Sequence, residues 1–103
     1  MKTRILALDT GIKTGWCVGD LSGVQEFKLN RGESPGMRFL RFRAWLSETV
    51  TLIGGVSVIV YESAHHRGGH ATQSAYGFLT EILTFSALHK IETMPVHSGT
   101  LKK

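Results

Sequence analysis

Cysteine is almost missing from this chain, and the single Cys17 excludes an intramolecular disulfide and fits a reducing compartment. The simplest role for that side chain is a small buried hydrophobe. No run of 18 apolar residues occurs and nothing resembles a secretion signal, so the sequence predicts a soluble, cytoplasmic protein with no membrane partner. Internal repeats, linkers and low-complexity stretches are also lacking. The 103 residues read as one domain, large enough to bury roughly 60–70% of the unfolded chain's surface. Acids are scarce: 8 Asp and Glu against 12 Lys and Arg give a net charge of +4, a moderate lean toward anionic partners. No Asp or Glu follows Glu92. A hydrophobic content of 42% with 19% charged residues excludes a disordered segment.

Against that background one short stretch stands out. The apolar run Ile5-Leu6-Ala7-Leu8 ends in Asp9 and passes at once into Thr10-Gly11-Ile12-Lys13-Thr14-Gly15. An unpaired ionised carboxylate costs several kcal/mol to bury, so Asp9 belongs at the open end of a buried strand. A second acid has the same setting in Val58-Ile59-Val60-Tyr61-Glu62. An alternative for Asp9 is a capped turn, accepting N–H bonds from Gly11 or Ile12. For Glu62 the alternative is an exposed strand-end acid.

The remaining pattern supplies a frame. Residues 4–9 read as a strand without polar alternation. Trp16 to Asp20 and Val24 to Leu29 follow as two more, joined by Asp20-Leu21-Ser22-Gly23 as hairpin turn. The alternation of Val24, Glu26 and Lys28 with Gln25, Phe27 and Leu29 suits a strand near an edge, covered on one face. Ser34 is a helix cap and Pro35 a first helical residue. Phe39, Phe42, Leu46, Val50 and Ile53 trace the buried face of that helix, and Gly54-Gly55 stops it. The strand 56–62 follows, then a polar loop from His65 to His70. A second helix runs from Thr72 to Lys90 and buries Ala75, Phe78, Leu79, Ile82, Leu83 and Phe85. Glu92 to Val96 is a final short strand.

The order β-β-β-α-β-α-β predicts an α/β fold, a mixed five-stranded sheet of three antiparallel strands followed by parallel ones, with helices packed on its faces. The first strand is then central, with 56–62 parallel beside it about 4.8 Å away. Asp9 and Glu62 both lie at carboxyl ends, where open α/β sheets place their sites. Carboxylates that close repel unless a cation bridges them or one keeps its proton. Oxygen donors of this kind suit magnesium or manganese.

This arrangement resembles the ribonuclease H-like superfamily, and within it the RuvC-like Holliday junction resolvases, especially the small phage-type members. Ile5 to Gly11 with Thr14-Gly15-Trp16 looks like the family's opening strand, catalytic Asp and glycine turn. Val58 to Glu62 looks like the strand that ends in its catalytic Glu. Tyr76-Gly77 through Pro95-Val96, then Thr100-Leu101-Lys102-Lys103, is similar to the following helix, strand and lysine segment. Thr10 departs from the usual Pro. The resemblance implies a magnesium- or manganese-dependent endonuclease acting on branched DNA as a homodimer. Asp9 and Glu62 would be its catalytic and metal-binding residues, and Thr14, His66, Arg67, Lys102 and Lys103 would contact nucleic acid. A phage-encoded member would work in the host cytoplasm.

The resemblance also implies a last helix that brings one or two further acids, and residues 1–103 stop where it should begin. The domain is therefore expected to be C-terminally incomplete. Asp9 and Glu62 alone would hold one ion weakly, where two ions about 4 Å apart serve phosphodiester hydrolysis. The competing function is a non-catalytic nucleic-acid-binding or assembly domain that keeps the fold and lacks part of the metal site. A nucleotide-binding fragment of the actin-like or sugar-kinase type shares the Asp-x-Gly turn. It needs a second large domain, for which 103 residues leave no room.

Several other residues have both a functional and a structural reading. His65-His66-Arg67-Gly68-Gly69-His70 reads as a DNA-contacting loop, with a solvated loop or a three-imidazole metal site as alternatives. Arg38 and Arg41 share one helix face and are candidates for phosphate contact. Glu33 and Glu81 read as surface charges, and His89 and His97 as structural or exposed.

Overall fold

The computed structural model describes residues 3–62 and 69–97, with side chains from residue 73 onward in the second stretch. Five strands and two helices follow in the order β1 (Ile5–Asp9), β2 (Lys13–Val18), β3 (Leu21–Glu26), α1 (Gly36–Leu52), β4 (Val58–Glu62), α2 (Gly69–His89) and β5 (Glu92–Val96). They build one five-stranded sheet in the spatial order β3-β2-β1-β4-β5. The β1–β2 and β2–β3 pairs are antiparallel, and β1–β4 and β4–β5 are parallel. The predicted mixed sheet with β1 at its centre is the observed one.

One face of the sheet carries the core. Leu6, Leu8, Val18 and Ile59 project from it into a single cluster with Phe42 and Leu46 of α1 and Phe78, Ile82 and Phe85 of α2. Both helices therefore cover the same face. Each of these side chains contributes about 1.5–3 kcal/mol when fully buried. Phe27 anchors the far corner, edge-on to Phe42 and Trp45 with ring centroids 5.4 and 5.6 Å away. The opposite face shows Ile5, Val24 and Met94, which are 48%, 68% and 47% exposed.

Local chemistry sets the helix ends. Pro35 already has helical dihedrals of φ −54° and ψ −26°, and the Gly36 N–H donates to Ser34 Oγ at 3.2 Å. Ser34 thus caps α1 as the sequence suggests. At the other end Gly54 and Gly55 take φ values of +82° and +98°, and the Gly55 N–H donates to the Val50 carbonyl at 2.8 Å. Arg4 donates from Nη1 to the Ile53 carbonyl and holds this terminus against β1. Helix α2 ends on Lys90 at φ +57°, with the Ile91 N–H returning to the Ser86 carbonyl at 2.8 Å.

Five expectations shift. The β2–β3 turn is Gly19-Asp20, because Val18 pairs with Leu21 and Gly19 supplies a φ of +57°. Strand β2 starts at Lys13, three residues earlier than predicted, since β1 and β2 form a tight hairpin in which Asp9 faces Gly15. Strand β3 runs Leu21–Glu26, where Val24 to Leu29 was predicted, and is open on both sides apart from Gly23, which lies under the Trp16 indole. Helix α2 starts at Gly69, ahead of the predicted Thr72. Leu83 is 43% exposed, because at about 100° per residue it points about 140° away from Phe78.

Candidate metal and phosphate site

Three strands bring Asp9 to its position. The run Ile5 to Leu8 alternates across the sheet, with Leu6 and Leu8 in the core and Ala7 toward the open face. By the same alternation Asp9 projects on the open face. In β2, Gly15 pairs with Asp9 and has no side chain to cover it. In β4 the parallel register matches Leu8 with Tyr61, so Glu62 comes next to Asp9 at the shared carboxyl end. Glu62 in turn pairs with Val96 of β5.

The two carboxyl groups interact. Asp9 is held above the usual aspartate range by its partial withdrawal from water, by a side-chain hydrogen bond to Glu62 and by the Glu62 charge. The pair lies in a cleft of about 220 Å³ lined by Ala7, Cys17, Val60, Tyr61 and Val96 among others. Two adjacent carboxyl groups in an open, partly apolar cleft form a set of hard oxygen donors. Among the described residues, no group of three or more His, Cys, Asp or Glu side chains is gathered to hold a metal. Two carboxylates fit a single divalent ion that keeps most of its waters.

The turn beyond Asp9 is fixed from inside. Thr14 is fully buried. Its hydroxyl donates to the Gly11 carbonyl at 2.8 Å, and the Gly11 N–H donates back to Thr14 Oγ1 at 3.2 Å. Two consequences follow. The Gly11 N–H is committed to Thr14, which removes it as the cap proposed for Asp9. The Thr14 side chain, expected at a nucleic-acid contact, faces the core, where it braces the Asp9 turn.

Other expectations change with the packing. Cys17 pairs with Ala7 on the open face and is exposed rather than buried. Arg41 forms an ion pair with Glu33 through both of its Nη atoms, and this lowers the Glu33 carboxyl to about 2. Arg43 binds both carboxylate oxygens of Glu81 at 2.7 and 3.0 Å, and Arg38 Nε donates to the Phe27 carbonyl at 3.0 Å. The arginine stripe of α1 therefore fastens the segment 27–33 and helix α2. It is not an open basic surface. His66, Arg67, Lys102 and Lys103 lie outside the described residues.

Comparison with known proteins rests on the fold alone. No family model and no curated protein matches the sequence. Among solved structures the chain is similar to Thermus thermophilus RuvC in complex with a Holliday junction substrate, at a TM-score of 0.77 and 13% identity over 93% of this chain. It is also similar to a second structure of Thermus thermophilus RuvC, at a TM-score of 0.70 and 16% identity over 92% of this chain. The chain spans 65% and 64% of those two proteins. Residues 3–62 and 69–97 thus have the ribonuclease H-like fold of RuvC, an architecture reached here with little shared sequence.

Proposed function

We propose that this chain is a metal-dependent, structure-selective DNA endonuclease that hydrolyses a phosphodiester in branched DNA such as a four-way junction. The observation that carries the reading is the Asp9–Glu62 pair at the ends of adjacent parallel strands, on the open face of a RuvC-type sheet. Asp9 and Glu62 would hold a magnesium or manganese ion. When bound, that ion supplies charge stabilisation on the phosphodiester and lowers the pKa of an attacking water. The chain's own contribution is to aim two carboxylates at one point, keep the Asp9 turn rigid through Thr14, and leave the β2 side open at Gly15. A homodimer would deliver two symmetric nicks to a junction.

The donor count supports a second reading. Only two carboxylates meet in the described cleft, which suits a nucleic-acid-binding domain that has the fold without full catalytic equipment. One experiment separates the two. Labelled four-way junction and linear duplex are incubated with the protein and with Asp9→Asn, in magnesium and in manganese, and scored for cleavage and for gel retardation. Junction cleavage lost in Asp9→Asn supports the endonuclease. Retardation by both proteins without cleavage supports the binding domain. No retardation and no cleavage overturns the DNA reading.

A further inference from the structure

Eight lysines and arginines have described side chains, and most are committed or remote. Arg38, Arg41 and Arg43 are tied to Phe27, Glu33 and Glu81. Arg4 holds the Ile53 carbonyl at the amino end of β1. Lys90 ends α2 beside the start of β5, again at the end of the sheet away from Asp9. The other three, Lys13, Lys28 and Arg31, are all exposed. They make no ion pair among the described residues; Lys13 opens β2 opposite Glu26, the last residue of β3, and Lys28 and Arg31 follow that strand end.

Register places them more closely. Lys13 is two residues before Gly15, the partner of Asp9, so it projects from the same open face. With a rise of about 3.3 Å per residue and strands about 4.8 Å apart, its backbone lies about 8 Å from that of Asp9. The Phe27 N–H donates to the Ile12 carbonyl at 2.6 Å, which brings Lys28 alongside this position. Phe27 is buried, so its neighbour Lys28 faces outward. Arg31 sits on a turn closed by the Glu33 N–H on the Asn30 carbonyl at 3.1 Å and the Asn30 N–H on Glu33 Oε1 at 2.6 Å. The acids facing this surface are Glu26, opposite Lys13, and Glu33, which Arg41 neutralises.

We propose that Lys13, Lys28 and Arg31 form a phosphate track, along which one DNA strand runs from the Asp9–Glu62 cleft across the end of β2 and β3. The track answers an electrostatic problem of the cleft. A phosphodiester approaching two carboxylates is repelled, and cations a short distance along the strand offset that repulsion while exchanging condensed counterions for protein charge. The track gives position rather than sequence preference, since its contacts are to backbone. It extends the nuclease reading and rests on it.

The test is the salt dependence of binding. Four-way-junction affinity is measured from low to moderate salt for the parent protein, Lys13→Gln, Lys28→Gln, Arg31→Gln, the Lys13→Gln/Lys28→Gln pair, and Lys90→Gln as the control at the far end. All are surface changes, and unaltered circular dichroism confirms the fold. The slope of log affinity against log salt should fall by about 0.7–0.9 for each phosphate contact removed. The pair should lose twice the single change, and Lys90→Gln should match the parent. Parent-like slopes for the track variants, with the parent protein binding normally, overturn the track and leave the nuclease reading standing. A parent protein that binds no junction DNA overturns both.

Discussion

Asp9 and Glu62 lie side by side at the carboxyl ends of β1 and β4 although 53 positions separate them in sequence, because the two strands run parallel in direct register. That contact has a thermodynamic sign. Asp9 is pushed up in the folded protein, so its contribution to stability is full below the unfolded aspartate value and is lost as pH rises through the folded value. At neutral pH the pair opposes folding. Asp9→Asn is therefore expected to raise the melting temperature at pH 7, and the gain should shrink toward zero as pH falls below about 3.8. Thermal melts across pH 3–8 measure it; an Asp9→Asn protein less stable than the parent at pH 7 contradicts the geometry.

Thr14 braces the turn from the core side. Thr14→Val keeps the shape and removes both hydrogen bonds with Gly11, so it should cost about 1–3 kcal/mol. Thr14→Ser keeps the hydroxyl and should recover part of that loss. Denaturant unfolding of the three proteins decides the point, and equal stability of Thr14→Val and the parent would show that the hydroxyl is not structural.

Gly77 lets α1 and α2 approach. A Cβ there would overlap the Phe39 ring, which itself packs edge-on to Phe78 at 5.1 Å. Alanine gains about 1 kcal/mol of helix propensity, whereas overpacking costs about 1–3 kcal/mol, so Gly77→Ala should be net destabilising. Trimming the ring with Phe39→Leu should make the second change nearly neutral. A double-mutant cycle reads the coupling directly.

Glu33 and Arg41 give the acid limb of the stability curve a distinct feature. Glu33 is held down to about 2 by the Arg41 guanidinium and the Asn30 N–H. Its stabilisation is present above the unfolded glutamate value of 4.5 and is lost as pH falls from there through about 2. Glu33→Gln should flatten the pH dependence in that window and leave the neutral range with a smaller, pH-independent loss. A parent-like acid limb in Glu33→Gln would exclude the pair as its source.

The legible parts of this fold were those encoded over short distances. Ile5 to Leu8 and Val58 to Val60 are unbroken apolar runs, and each ends on one acid, so both halves of the site could be read locally. Ser34, Pro35, Gly54 and Gly55 mark the ends of α1 by their backbone chemistry. The inward turn of Thr14 was not legible, because β2 was started at Trp16 and residue 14 was left in the glycine turn. Once Lys13 is its first residue, alternation from Gly15 turns Thr14 inward and Lys13 outward. Cys17 was read as a buried hydrophobe from its residue type alone, whereas its pairing with Ala7 carries it to the open face. The commitments of Arg41 and Arg43 were not legible, because their partners are 8 and 38 positions away and met only through packing. Exposure of β3 was hidden for a related reason. The alternation that suggested a covered face rested on Phe27 and Leu29, which lie beyond the end of β3 at Glu26.

Asp9 and Glu62 are proposed to act together on a divalent cation. Titration of the metal-free protein with manganese, followed by the loss of free-ion paramagnetic signal, tests this without any DNA. Saturable binding of about one ion, abolished by Asp9→Asn and by Glu62→Gln but retained by Lys90→Gln, is the predicted result. Binding unchanged in either carboxylate variant, or no binding by the parent protein, would contradict it.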